Sequence, residues 1–324
     1  MMKKVITVFK RPRLRKPFFI GAWPGMGDVA LKAALFLKDA LKAEGFADFS
    51  PESFFQPSGI DIQDRLISTA KLPEGRFYFC KNPRAKNDII IFISESQPAL
   101  EKSYEYAKHI VNFLKEMKVV MGFTFAAMPS PIEHNKKPEV WAATTHKALF
   151  EKLKKLSLKM MSTGQISGLN GLILGALKED CIPGICLLAE IPIYAVQIEN
   201  PLASLAAVDV LAKMLDIHID RGTLERQARF MQVEIEKLIS FIKDPQQHDE
   251  PIGTEEIEKI RDGLRAYTRT PESVRKKIET LFSEAIVDIS MAGDLKRELD
   301  YWNIYKEYED RFLDLFKKSQ KKNN

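Results

Sequence analysis

Gly21-Ala22-Trp23-Pro24-Gly25-Met26-Gly27-Asp28 follows the apolar run Phe18-Phe19-Ile20 and leads into Val29-Ala30-Leu31-Lys32-Ala33-Ala34-Leu35-Phe36-Leu37. That order reads as strand, glycine-rich turn, helix. Glycine accepts the positive φ of a tight turn, and Pro24 stiffens it. The first N–H groups of a helix have no partner inside it, so such a turn holds an anion or a carbonyl from elsewhere in the structure. The stretch predicts an α/β domain with a candidate binding surface at the end of a strand. It names no reaction.

Working outward, the periodicity predicts a helix over 28–44, with Leu31, Ala34, Leu35 and Leu41 near one face and Gly45 as its stop. A short strand follows over 46–49. The loop over 51–59 carries Phe54 and Phe55, which look exposed and read either as interface aromatics or as ordinary core packing, and edge strands are expected over 60–69 and 76–80. Asp88-Ile89-Ile90-Ile91-Phe92-Ile93 is an unbroken, largely β-branched run, the mark of a parallel strand buried on both faces. A helix over 99–116 and a strand over 119–125 complete a β-α-β unit. Residues 129–138 read as a polar loop, 140–144 as a strand and 146–156 as a helix. Ile166 to Gly175 is a second glycine-rich turn entering a helix, 184–190 is the last core strand, and helices are expected over 201–215 and 220–243. Composition changes at Asp244-Pro245-Gln246-Gln247-His248-Asp249-Glu250-Pro251, which reads as a linker. Beyond it the chain reads as helical and strand-free. Thr254 and Thr270-Pro271-Glu272 look like capped helix starts, and Leu295, Leu299, Trp302, Tyr305, Phe312 and Leu315 form a stripe on the final helix. This tail is expected to pack on the core or on a neighbouring subunit.

Bulk properties exclude several classes. The 324 residues are 45% hydrophobic and 29% charged, an ordinary globular balance. No run approaches the ~20 apolar residues that span a bilayer, and no secretory signal is expected at the start, where the apolar run Phe18–Trp23 is short and broken by Pro24 and Gly25. Cys80, Cys181 and Cys186 fit no zinc spacing, so buried or half-buried thiols of a reducing cytoplasm are expected, with no metal and no cofactor. Seven of the first sixteen residues are Lys or Arg, so the +5 net charge leaves −2 for the remainder. Such a segment can touch nucleic acid or an acidic partner, but no aromatic interleaving or nucleic-acid motif accompanies it, and a solvated basic arm is expected.

Four phrases carry a resemblance. Gly21 to Asp28 resembles the opening "GxWPxxGN" of the PAC2 family, the proteasome assembly chaperone 2-like proteins. Ser167-Gly168-Leu169-Asn170-Gly171-Leu172-Ile173-Leu174-Gly175 is similar to its "GxxGLLLG" segment. Ile191-Pro192-Ile193-Tyr194-Ala195 with Asn200-Pro201-Leu202-Ala203-Ser204 is similar to its "P.Y.....NP.AA" phrase. Asp216-Ile217-His218-Ile219-Asp220 and Leu224-Glu225-Arg226-Gln227-Ala228 resemble its closing helices. The likeness spans roughly residues 15–242. It implies a three-layer α/β/α core like that of phosphorylase- and hydrolase-like folds, with a mostly parallel sheet, homo-oligomerisation, and binding of proteasome subunits or related assemblies without chemistry. The expected organisation is a basic N-terminal arm over 1–16, a PAC2-like α/β domain over 17–243 and an all-helical C-terminal appendage over 252–318. Some archaeal relatives dock on the proteasome through a hydrophobic-Tyr-any tail. Gln320-Lys321-Lys322-Asn323-Asn324 does not carry one, and the helical tail has no counterpart in the minimal family core.

The candidate binding residues are Trp23, Gly25, Met26, Gly27, Asp28, Glu95, Asn170, Gly171 and Glu190. Open parallel sheets bind ligands beyond the carboxyl ends of their strands, where these positions fall. Asp28 is read first as a helix cap. Gly25-Met26-Gly27 resembles a phosphate cradle but lacks the Gly-Lys-Ser/Thr of a nucleoside-triphosphate loop. Glu95 and Glu190, if held together, offer acid–base chemistry. His134, beside Glu133, is read as a solvated loop histidine, and no Ser or Cys stands in a nucleophile-elbow frame. Two functions follow. One is a non-enzymatic, homo-oligomeric scaffold or assembly-chaperone-like protein, cytoplasmic, with a protein partner, no membrane and no nucleic acid. The other is a small-ligand-binding or hydrolase/phosphorylase-like enzyme using the crevice near Gly25–Asp28, Glu95, Asn170 and Glu190.

Overall fold

The computed structural model describes residues 5–57, 60–63, 66–69, 71–83, 85–154, 158–243, 272–301 and 305–320. The linker at 244–251, the helix starts at Thr254 and Thr270 and the stripe residue Trp302 lie outside them. The chain divides into two compact units, residues 1–251 and 252–324.

In chain order the first unit contains β1 (Ile6–Val8), β2 (Phe18–Ala22), α1 (Val29–Ala40), β3 (Glu44–Phe49), β4 (Ile60–Gln63), β5 (Leu66–Thr69), β6 (Gly75–Cys80) and β7 (Ile89–Ser94). It continues with α2 (Leu100–Glu116), β8 (Met121–Ser130), β9 (Val140–Thr144), α3 (Lys147–Lys154), β10 (Lys159–Met160), α4 (Leu169–Glu179), β11 (Gly184–Pro192), α5 (Pro201–Leu215) and α6 (Gly222–Lys243). Among the described residues nine strands form one sheet in the order β1-β3-β6-β7-β2-β8-β11-β9-β10. Its centre, β7-β2-β8-β11, is wholly parallel, as the unbroken apolar runs predict. The flanks are antiparallel where β1, β3 and β6 zigzag outward and where β9 joins β11, and short β10 then runs parallel to β9.

Alternation along the strands splits the core into two layers. Phe19, Ile90, Phe92, Cys186 and Leu188 face α2 and α4, and the intervening Ile20, Ile89, Ile91 and Leu187 face the side covered by α1 and α5. The α2 side is aromatic. Phe92 lies 4.5 Å from Phe77 and 5.4 Å from Trp23, and Tyr106 lies 4.2 Å from Phe49. Each buried ring of this kind stabilises the fold by about 2–3 kcal/mol.

Four local expectations change. Phe54 is not exposed: it is 2% accessible and packs edge-on against Tyr106 at 5.3 Å, because Ala99 N–H bonds to its carbonyl and draws the loop onto α2. The 76–80 run is no edge; β6 lies between β3 and β7, while β4 and β5 pair antiparallel in a separate two-stranded sheet. Residues 6–8, expected in a solvated arm, add the edge strand β1 to β3. Cys181, expected to be buried or half-buried, is exposed, whereas Cys80 and Cys186 are buried as expected, and burial pushes both thiols up to about 12, so they are inert.

The second unit holds α7 (Glu272–Val287), α8 (Ala292–Tyr301) and α9 (Tyr305–Gln320). The predicted apolar stripe is shared between α8 and α9 rather than lying on one helix. Leu295 and Leu299 of α8 and Phe312 and Leu315 of α9 close on Ile278, Phe282 and Ala285 of α7. No helix among the described residues is long and apolar enough to cross a membrane.

Candidate functional site

The two glycine-rich turns meet at the carboxyl end of the parallel strands. Trp23 N–H donates to Asn170 Oδ1 at 3.1 Å, and Asn170 Nδ2 donates to the Trp23 carbonyl at 3.0 Å. Asn170 is buried, and this reciprocal pair satisfies backbone that leaves β2 and cannot reach water. Gln97, in the loop after β7, binds both turns at once: its Nε2 donates to the Pro24 carbonyl at 2.7 Å, and its Oε1 accepts from Leu169 N–H at 3.1 Å. Gln97 was not singled out from the sequence, because a lone loop glutamine carries no pattern.

The first turn is also tied to the segment after β11. Gly27 N–H donates to the Val196 carbonyl at 2.8 Å, and Asn200 N–H donates to the Gly27 carbonyl at 2.8 Å. Gly27 has φ 59°, a conformation that a side chain resists. Asn200 then caps α5 by accepting from Ala203 N–H at 2.9 Å, with Pro201 at its first turn. In the second turn, a Cβ on Gly171 would fall inside the carbonyl of Ile166, so that residue permits a close backbone approach.

Gly27 N–H and Leu169 N–H, the donors that would cradle an anion, already bond to Val196 and Gln97. Asp28 does not cap α1; it sits at φ 45° with no side-chain cap bond. Its carboxyl is half-buried. Burial raises its pKa above the ordinary carboxylate value, the Gly25 hydrogen bond opposes this, Glu199 adds to it, and Lys32, which pairs with Glu199 at 2.7 Å, counters it.

Glu95 and Glu190 are not brought together. Glu95 is exposed and accepts from Glu74 N–H at 2.9 Å, on the β6 side of the sheet. Glu190 is buried and accepts from Glu139 N–H at 3.1 Å and the Trp141 indole at 3.4 Å, on the β9 side. β2 and β8 lie between β7 and β11. Three strand spacings of about 4.8 Å separate the strands bearing them by roughly 14 Å, too far for one proton to be shared. Of the nine candidates, Trp23, Gly25, Met26, Gly27, Asp28, Asn170 and Gly171 form one rim, and the two glutamates flank it.

His134 is not a solvated loop residue. It is buried, its Nε2 lies 2.8 Å from Glu236 Oε2, its Nδ1 lies 3.0 Å from Tyr194 Oη, and Gln232 Nε2 donates to its carbonyl at 3.4 Å. Four residues from three segments thereby pin α6 to the loop after β8. Two shallow grooves of about 460 Å³ each lie along α5, one lined by Lys213, Asp216 and His218 and the other by Glu139, Lys159 and Val210, away from the rim. Among the described residues no group of His, Cys, Asp and Glu is placed to hold a metal ion.

The fold recurs in solved proteins. The model of the PAC2 family matches residues 19–239. The chain belongs to the PAC2 family. An uncharacterised protein of Methanocaldococcus jannaschii is 29% identical over 251 residues, covering 74% of this chain and 90% of that protein. Among solved structures, this PAC2 chain is similar to Pyrococcus furiosus PbaB, an archaeal proteasome activator, at 28% identity and a TM-score of 0.62, over 74% of this chain and 98% of PbaB. It shares its fold with Pyrococcus furiosus PbaA, an archaeal homolog of proteasome-assembly chaperone, at 24% identity and a TM-score of 0.56, over 75% of this chain and 100% of PbaA. The PAC2 match ends at 239, before the second unit begins.

Proposed function

We propose that this PAC2 protein is a non-enzymatic, homo-oligomeric scaffold of the assembly-chaperone type that binds a protein partner. One observation carries the reading: the rim expected to hold a ligand is closed by its own amides. The Trp23–Asn170 pair and the Gln97 bridge take up the Trp23 amide and carbonyl, the Pro24 carbonyl and the Leu169 amide, and the flanking carboxylates bind neighbouring strands. A rim of that kind has fixed shape but no free acid–base pair, which suits recognition of a surface better than turnover of a metabolite. PbaB, a proteasome activator, is the relative that points to a proteasome-like assembly as the partner class. Self-association draws support from the β4–β5 hairpin, which pairs with no other described strand and leaves Leu66 and Ile67 72% and 73% exposed. An isolated two-stranded hairpin is marginal in water, and a second copy covering it would remove that exposure.

The test is native mass spectrometry of the purified chain together with mass-spectrometric identification of proteins captured from its own cells. An oligomer that captures a defined multisubunit assembly is expected. A monomer that captures no protein but binds nucleotides would end the scaffold reading.

A further inference from the structure

The basic N-terminal segment is a fixed platform at the amino end of the parallel strands. Phe9 and Lys10 N–H groups bond to the Phe46 carbonyl at 3.1 and 3.2 Å. Lys81 Nζ donates to the Arg13 carbonyl. Arg15 N–H donates to Asp88 Oδ2 at 2.8 Å, and its guanidinium reaches the Asn82 carbonyl at 2.8 Å and Asp88 Oδ1 at 3.2 Å. Asn87 Nδ2 donates to the Lys16 carbonyl at 2.6 Å, and Val120 N–H to the Pro17 carbonyl at 3.1 Å. These bonds hold the segment mostly through its main chain and leave its cations outward.

Arg11, Arg13, Arg15 and Lys16 on the segment, with Lys81 and Lys86 on the loop beneath it, are all exposed. Arg11, Arg13, Lys16 and Lys86 have no ion-pair partner among the described residues. The carboxylate that anchors this face, Asp88, is fully buried and already engaged by Arg15 and Asn82. Neutralisation of helix C-terminal dipoles does not account for these cations, because all six lie on loops. One-sign charge on a preorganised backbone is what attracts a polyanion without an ordering cost.

We propose that this face binds an acidic, Asp/Glu-rich segment of a protein partner. Arg11 and Arg13 present planar forks that match carboxylates bidentately. The nearby aromatics do not form a base-stacking platform of the kind single-stranded nucleic acid uses. Arg76 lies over the Phe9 ring at 6.0 Å, and Phe18 packs edge-on to Phe123 at 5.7 Å. Among the described residues no helix or paired ribbon projects from the segment to enter a groove. The proposal rests on the scaffold reading in that its partner is a protein, and it adds the chemistry of one contact.

The experiment uses the full chain and a fluorescent dodeca-glutamate, with a single-stranded dodecanucleotide for comparison, read by anisotropy at about 0.15 M salt, where exposed charges are screened beyond ~8 Å. The triple variant Arg11→Glu/Arg13→Glu/Lys86→Glu leaves Arg15 and Asp88 in place. It is expected to lose more than tenfold in peptide affinity with unchanged circular dichroism and melting temperature. Lys102→Glu/Lys136→Glu/Lys237→Glu, of equal charge change on other faces, is expected to lose less than threefold. Equal losses in the two variants, or no peptide binding by the wild type, overturns the platform. Tighter binding of the oligonucleotide than of the peptide overturns it in favour of a nucleic-acid surface. If the triple variant still captures its cellular partner while peptide binding is lost, the scaffold reading stands and this contact is not the one it uses.

Discussion

Where β2 and β7 end, the chain is held by neutral amides: Asn170 against Trp23, and Gln97 between Pro24 and Leu169. Where the same strands begin, it is held by a charge: Asp88, fully buried, takes the amides of Arg15 and Asn82 and the Arg15 guanidinium. Burial by itself would raise the Asp88 carboxyl. The Arg15 amide and guanidinium and the Asn82 amide outweigh it and hold the pKa below the ordinary carboxylate range. A neutral mesh fixes shape and is indifferent to pH and salt. A buried carboxylate under a basic surface ties fold stability to pH and displays the surplus positive charge outward. The end that reads as a ligand site is thus the chemically closed one, and the end that reads as a solvated arm presents unpaired chemistry.

Removing the anchor at the charged end is the most severe test. Asp88→Ala strands the buried Asn82 N–H, the half-buried Arg15 N–H and the Arg15 guanidinium, and is expected to cost about 3–5 kcal/mol by urea unfolding. The carboxyl titrates lower folded than unfolded, so its stabilisation is fully present above about pH 4 and is lost as pH falls through the depressed folded value. The wild-type advantage over Asp88→Asn is therefore expected to hold from pH 7 to pH 5 and shrink below pH 4. At the neutral end, Gly171→Ala forces a Cβ into the Ile166 carbonyl and is expected to cost about 3 kcal/mol. Asn170→Ala leaves the Trp23 N–H and C=O without partners, and about 2–3 kcal/mol is expected, unchanged between pH 4 and pH 8. A pH-dependent loss there would break the contrast between the two ends. Outside both, Glu236→Gln weakens the pairing with His134 at an exposed carboxylate, and a loss below about 1 kcal/mol in melting experiments is expected.

Much of the fold is legible because it depends on local repetition. The Ile89–Ile93 run, the β-α-β spacing and the 201–215 helix all follow from apolar periodicity, and β9 spans the predicted 140–144. The candidate rim is legible as two glycine phrases, since glycine records a backbone requirement in the sequence itself. The bonds that close it are not. Gln97 and Asn170 are 73 residues apart, and each looks like an ordinary loop amide until the sheet sets them side by side. His134 looks solvated for the same reason: its partners Tyr194 and Glu236 lie 60 and 102 positions away. The aromatic at Phe54 reads as exposed because its loop is polar, and only contact with Tyr106 buries it.

The sequence by itself determined the parallel centre, the two glycine turns, the family and the uneven placement of charge, because periodicity, positive-φ turns and charge counts are local properties. Tertiary structure alone decided which strands flank that centre, that Glu95 and Glu190 stay apart, that the rim's amides bond to one another, and that the basic residues form a surface over Asp88. Those outcomes depend on which residues long loop closures bring within hydrogen-bonding range, and that distance is set by the packed sheet rather than by any segment's own preference.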